Sequence, residues 1–158
     1  MRKQSRVKPG SFLHYAMRNL EQINAYYLLG PSLYTNEICV ASEQYAEKMC
    51  KEALVQIGAS PNWVHDLTNL LKDIELAIGE PIPDDLYYKA AFFDDIYISS
   101  RYPDETGEIR IISEDDADLC REYALSIGDW VNGLIAHPIV NKSRQPSGFF
   151  KRLFKKCR

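Results

Sequence analysis

The chain has 158 residues and 18.2 kDa, 46% of them apolar and 26% charged. These are the proportions of one globular domain that buries roughly 70% of its unfolded surface, and they argue against a multidomain enzyme. No apolar run approaches the roughly 18 residues of a bilayer span. The basic start is followed by Phe12-Leu13-His14-Tyr15-Ala16-Met17-Arg18 instead of a long apolar signal region, so a cytoplasmic location is expected.

The net charge of −3 is assembled from +4 in residues 1–10, +7 in residues 136–158 and −14 across residues 11–135. An acidic body between two basic arms does not suit a domain that coats nucleic acid with a uniformly positive surface. The division this suggests is a helical body over residues 11–136, a basic N-terminal arm over 1–10, and a linker with a basic amphipathic tail over 137–158. Cys39, Cys50, Cys120 and Cys157 form no C-x-x-C pair and have no His at zinc-finger spacing, so they read as thiols and not as a metal site. Cys39 and Cys50, eleven residues apart, would lie about 16 Å apart along a helix, too far to bridge. Cys157 is next to last and does not fit a prenylation box.

In chain order, Phe12, Tyr15, Met17, Leu20, Ile23, Tyr26 and Tyr27 recur at helical spacing and predict a first helix over 11–29, closed by Gly30-Pro31. A longer stripe that includes Leu33, Ile38, Tyr45, Met49, Cys50 and Leu54 predicts a central helix over 31–57, with Gly58 placed for a left-handed cap. After a turn at Pro61, Val64, Leu67, Leu70, Leu71, Ile74 and Ile78 predict a short third helix ending at Gly79. Asp84-Asp85 favour the start of a fourth, which runs to about Ser100 and is blocked by Pro103. A loop over 102–112 leads to Ser113 and Asp116, a variant capping box that opens a fifth helix to about Ala136. With no convincing strand or repeat, the expected fold is all-α, an up-and-down antiparallel bundle of about five helices.

Three stretches carry a family resemblance. Ser42-Glu43-Gln44-Tyr45-Ala46-Glu47-Lys48-Met49-Cys50-Lys51-Glu52-Ala53-Leu54, His65-Asp66-Leu67 with Leu70-Leu71, and Ser100-Arg101-Tyr102-Pro103 occur in the order and spacing that resemble the HEPN family, over about residues 12–135. The resemblance implies a small all-helical domain, usually homodimeric, found in bacteria and archaea beside small nucleotidyltransferases in toxin–antitoxin or related defence modules. Some members of the family are ribonucleases, marked by an Arg followed four to six residues later by a His. That motif is missing here. No Arg stands in Ala59–Val64 before His65, His14 follows Arg6 at a gap of seven, and His137 has no Arg within six residues. The departure weakens a nuclease reading and leaves nucleotide binding and partner binding open.

In an up-and-down bundle the end of the second helix, the start of the third and the end of the fourth share one pole, which would make His65, Arg101 and Tyr102 neighbours, with Lys51 about 9 Å below Ile57 on the second helix completing the site. An Arg fork, an ammonium, an imidazole and helix-start amides suit a phosphate, so ATP or GTP is the ligand such a pole would take, with no resident cofactor or metal. The plainer reading has Arg101 meeting the carbonyls of the fourth helix, His65 and Asp66 capping the third, and Glu47 with Lys51 forming a solvated i, i+4 pair. Were Glu47 buried, Arg18 or Arg121 would be its expected donors. Ten tyrosines suit a homodimer surface or ordinary core packing. In the tail, Phe149, Phe150, Leu153 and Phe154 share one helical face opposite Lys151, Arg152, Lys155 and Lys156, which favours docking on protein with the basic face left for an acidic partner, ahead of a membrane surface. The expectation is therefore a noncatalytic module that binds a nucleotide or a nucleotidyltransferase. The alternatives are a metal-independent ribonuclease with His65 as base and Arg101 supporting the phosphorane, RNA being a partner only in that case, and a tail-anchored adaptor.

Overall fold

Five helices account for most of residues 7–62 and 65–136, which the computed structural model describes: α1 (Phe12–Leu29), α2 (Thr35–Ile57), α3 (Leu67–Ile78), α4 (Asp84–Ser99) and α5 (Glu114–Ala136). A 3₁₀ turn at Pro31–Leu33 precedes α2, and no strand occurs among the described residues. The tail and the first six residues of the basic arm lie outside the described residues.

Local chemistry sets the ends. The Ser11 side chain accepts the amide of His14 and starts α1. α2 ends at Gly58 with φ 89°, the left-handed geometry that glycine adopts without a Cβ penalty. Asp66 caps α3 by accepting the Asn69 amide, and Asp94 of α4 reinforces that end by accepting the amides of Leu67 and Thr68 and the Thr68 hydroxyl. At α5 the Ser113 hydroxyl accepts the Asp116 amide while the Asp116 carboxylate accepts the Ser113 amide, the reciprocal capping box expected from the sequence.

Cross-helix contacts give the directions. α1 runs against α2, with the Leu13 amide bonded to Glu52, Asn19 to Gln44, and Tyr26 stacked on Tyr34. α3 and α4 are antiparallel, since Leu67 meets Asp94 while Tyr87 bonds Glu75. α5 follows the direction of α2: the Cys39 thiol donates to the Asp116 carbonyl near both helix starts, and the Tyr45 ring lies against Gly128 further along. Arg110 ties the loop before α5 to the bundle through Asp95 at 3.0 Å and Asp116 at 2.6 Å.

The central helix is buried on almost every side, polar residues included: Ser42, Glu43, Glu47, Lys51 and Glu52 are all buried with Ile38, Ala46, Met49 and Leu54. α1 is amphipathic on a narrower stripe than the sequence suggests. Ala16 and Ile23 are fully buried, whereas Tyr15 and Met17 are exposed. Leu33 is 76% exposed because the chain turns as a 3₁₀ segment before α2 begins at Thr35. The thiols of Cys39, Cys50 and Cys120 are free and buried. The adjacent Cys39 thiol, and then burial, raise Cys120 far above an ordinary thiol pKa, so it stays protonated and inert.

Candidate functional site

On one flank of α2, Glu43 and Glu47 stand one helical turn apart, and both are buried. Burying two like charges side by side is costly unless one is paired or neutral. Glu47, only 2% exposed, is paired: Lys51 Nζ donates at 2.6 Å, His65 Nδ1 at 3.0 Å and Lys48 Nζ at 3.3 Å. Burial alone would raise its pKa, but hydrogen bonds from Lys51 and His65, with the charges of Lys48 and Lys51, hold it below the ordinary value. The solvated Glu47–Lys51 pair expected from the spacing is thus corrected to a buried one. The donors expected for a buried Glu47 are corrected too. Arg121 sits over the Tyr27 ring and Arg18 is exposed, while Lys51, Lys48 and His65 do the work.

Glu43 has no hydrogen bond or ion pair among the described residues. Its burial and the neighbouring Glu47 charge push its pKa up to about 7, against the opposing charges of Arg101, His65 and Lys48. In the folded state Glu43 therefore holds a proton that the unfolded chain releases above its ordinary value of 4.5, so its contribution to stability falls as pH rises from about 4.5 to about 7 and is level above that. Glu43→Gln should gain on the wild type across this interval, ending on the order of 2 kcal/mol better at pH 8 than at pH 4.5 in relative stability. Urea unfolding of both proteins at several pH values reads the difference, and a gap that does not change with pH refutes the assignment.

The remaining sites expected from the sequence are distributed as follows. His65 spends its Nδ1 on Glu47, halfway along α2, and does not cap α3; its side chain is 64% exposed. Arg101 lies at the other end of the same flank. Its guanidinium stacks on the Tyr97 ring at 3.9 Å, Nη1 donates to the Tyr97 carbonyl at 3.4 Å, and it borders a fissure with Asn36, Val40 and Glu43. Lys51 is 4% exposed and held by Glu47, so it acts on the surface only through that carboxylate. Tyr102 turns away, bordering a separate hollow of about 480 Å³ with Ile98, Pro103 and Arg110. The expected gathering at a pole is corrected: Lys51 and His65 meet on the Glu47 carboxylate midway along α2, Arg101 stands further toward the start of α2 beside Asn36, Val40 and Glu43, and Tyr102 lies apart. The reason is that His65, just before α3 begins at Leu67, lies beside the middle of α2 at Glu47 and not at the tip of that helix. Lys151, Arg152, Lys155 and Lys156 fall outside the described residues.

The flank thus combines three fixed cations, Lys48, Lys51 and Arg101, and an imidazole, with one ionised carboxylate and a second that titrates near 7. On a body that is acidic overall, this leaves a locally positive balance. Among the described residues no three His, Cys, Asp or Glu side chains converge as a metal site, and no helix is long and apolar enough to cross a membrane.

Comparison with known proteins agrees with this architecture. No curated protein matches the chain. The chain is similar to the crystal structure of an archaeal HEPN homologue, with a TM-score of 0.61 and 32% identity, over 78% of this chain and 94% of that one. The family model described as HEPN domain matches residues 11–134, from the cap of α1 to the last turn of α5. With a family match across all five helices and a related structure of the same build, the chain belongs to the HEPN family.

Proposed function

We propose that the protein is a noncatalytic HEPN module that holds the phosphate of a nucleotide on the α2 flank, between His65 and Arg101, and works with a nucleotidyltransferase in a toxin–antitoxin or defence setting as a homodimer. The observation that carries this is the placing of two exposed donors along one side of α2: Arg101, stacked on Tyr97 at the fissure lined by Asn36, Val40 and Glu43, and His65, held by Glu47 one helical turn beyond Glu43. Lys51 and Lys48 neutralise Glu47, so an arriving phosphate does not meet two full negative charges. Arg101 supplies the fork that grips phosphate oxygens, and Tyr97 beneath it fixes the plane of that fork. The basic tail, with Lys151, Arg152, Lys155 and Lys156, is left for an acidic surface of the partner. Calorimetric titration with ATP and GTP tests the reading. Binding that weakens at least about ten-fold in Arg101→Ala supports it, and equal or absent binding in both proteins refutes it.

One observation favours a second reading, RNA cleavage. The Glu47 carboxylate accepts from His65 Nδ1 and so turns Nε2 outward, the arrangement that orients an imidazole as a general base. Incubation of wild type and His65→Ala with mixed RNA without metal decides it, since cleavage lost in the variant would make the protein an enzyme.

A further inference from the structure

Arg101 also borders a second space, a cleft of about 330 Å³ between α1 and α2 lined by Gln22, Tyr26, Asn36, Glu37 and Gln44. Its polar wall is set by one residue. Asn19 is 8% exposed, and its Nδ2 donates one proton to Gln22 Oε1 at 3.0 Å and the other to Gln44 Oε1 at 3.2 Å. Both glutamine carbonyls are thereby engaged by Asn19. Their amide NH₂ groups have no hydrogen-bond partner among the described residues, and both glutamines line the cleft, which leaves two donors available to it. Tyr26 supplies a half-buried ring already stacked on Tyr34 at 5.3 Å, and Glu37 supplies an exposed carboxylate at the rim.

We propose that this cleft is a nucleobase subsite that selects guanine over adenine, with the nucleotide phosphate at Arg101. The inference rests on the reading of Arg101 as the phosphate-binding group. The volume is at the lower end of small-molecule pockets and suits a single base. Paired donors match a base edge carrying two adjacent acceptors. Guanine offers O6 and N7 there, whereas adenine replaces O6 with an amino donor that would face the glutamine NH₂ groups, donor against donor. A buried asparagine holding both glutamines removes the reorientation cost that free side chains would add on binding. Tyr26 gives the base an aromatic neighbour, a contact that tolerates any base and therefore leaves the choice to the amides.

The test is calorimetric titration of the full chain with GMP, AMP, ribose 5-phosphate and inorganic pyrophosphate, repeated with Gln44→Glu and Gln22→Glu, each checked for native helicity. Glutamate still accepts from Asn19 but presents an acceptor where the amide presented a donor. GMP is expected to bind about ten-fold more tightly than AMP, and either glutamate variant should erase or reverse that preference. The second variant keeps the test alive if the first fails to fold. Pyrophosphate bound through Arg101, with GMP no tighter than AMP and ribose 5-phosphate, overturns the base subsite while the phosphate reading stands. Failure of every ligand, pyrophosphate included, overturns both.

Discussion

Glu47→Leu is expected to destabilise the protein by about 3–5 kcal/mol, because it strands a buried ammonium. Lys51 is 4% exposed and its Nζ is bonded to Glu47 at 2.6 Å. With the carboxylate gone, that charge has neither water nor a counter-ion, and Lys51 must either deprotonate or force the helix flank open. Two other donors, from Lys48 and His65, lose their acceptor at the same step. The companion Glu47→Leu/Lys51→Met removes both buried charges and should recover most of the loss, coming within about 1–2 kcal/mol of the wild type. Urea unfolding of the four proteins of this cycle gives the coupling directly. If the single variant stays within 1 kcal/mol of wild type, on the scale of exposed pairs, the buried network is not what holds this flank together.

The second large effect lies where α5 packs on α2 at Gly128 and Tyr45. A Cβ added at Gly128 would stand 2.6 and 2.7 Å from the Cε1 and Cζ atoms of Tyr45, and nearer still to the hydroxyl. Tyr45 is 4% exposed, and its ring is rigid, so it cannot step aside as a lysine tip would. In an unobstructed helix Gly→Ala stabilises by about 0.5–1 kcal/mol. Here Gly128→Ala should instead cost about 1–3 kcal/mol through overpacking. In a Tyr45→Leu background the same substitution should change sign and become stabilising, since the shorter side chain vacates the space. Thermal unfolding of the four combinations measures this, and a Gly128→Ala that stabilises the wild-type protein would show that the two helices are not in the close contact described.

The positions of the helices were open to reading from the chain because each boundary is written in neighbouring residues. Gly58 and Gly79 adopt left-handed caps where the apolar stripes stop, Asp66 accepts the amide three residues on, and Ser113 with Asp116 closes its box within a single turn. Apolar character alone does not tell core from rim. Tyr15 and Met17 are apolar enough to look like core, but the close approach of α1 to α2 places the small Ala16 there, and the larger neighbours fall to the rim. Apolar spacing likewise assigns Leu33 to α2, whereas Pro31 opens a separate 3₁₀ turn that contains it.

The amino-acid order by itself determined five helices, their caps, the i, i+4 spacing of Glu43, Glu47 and Lys51, and the absence of an Arg at nuclease spacing before His65. All of these depend on residues within one or two turns of each other. Only the tertiary structure decided that Glu47 is buried, that His65 is its partner across 18 residues of sequence, that Arg101 reaches the flank of α2 while Tyr102 leaves it, and that Asn19 gathers Gln22 with Gln44 across 25. Periodicity records which face of a helix is apolar, but the burial of a charged residue depends on which other helices enclose it. For α2 that enclosure by α1, α3 and α5 turns what would be a solvated ion pair into the organising centre of the site.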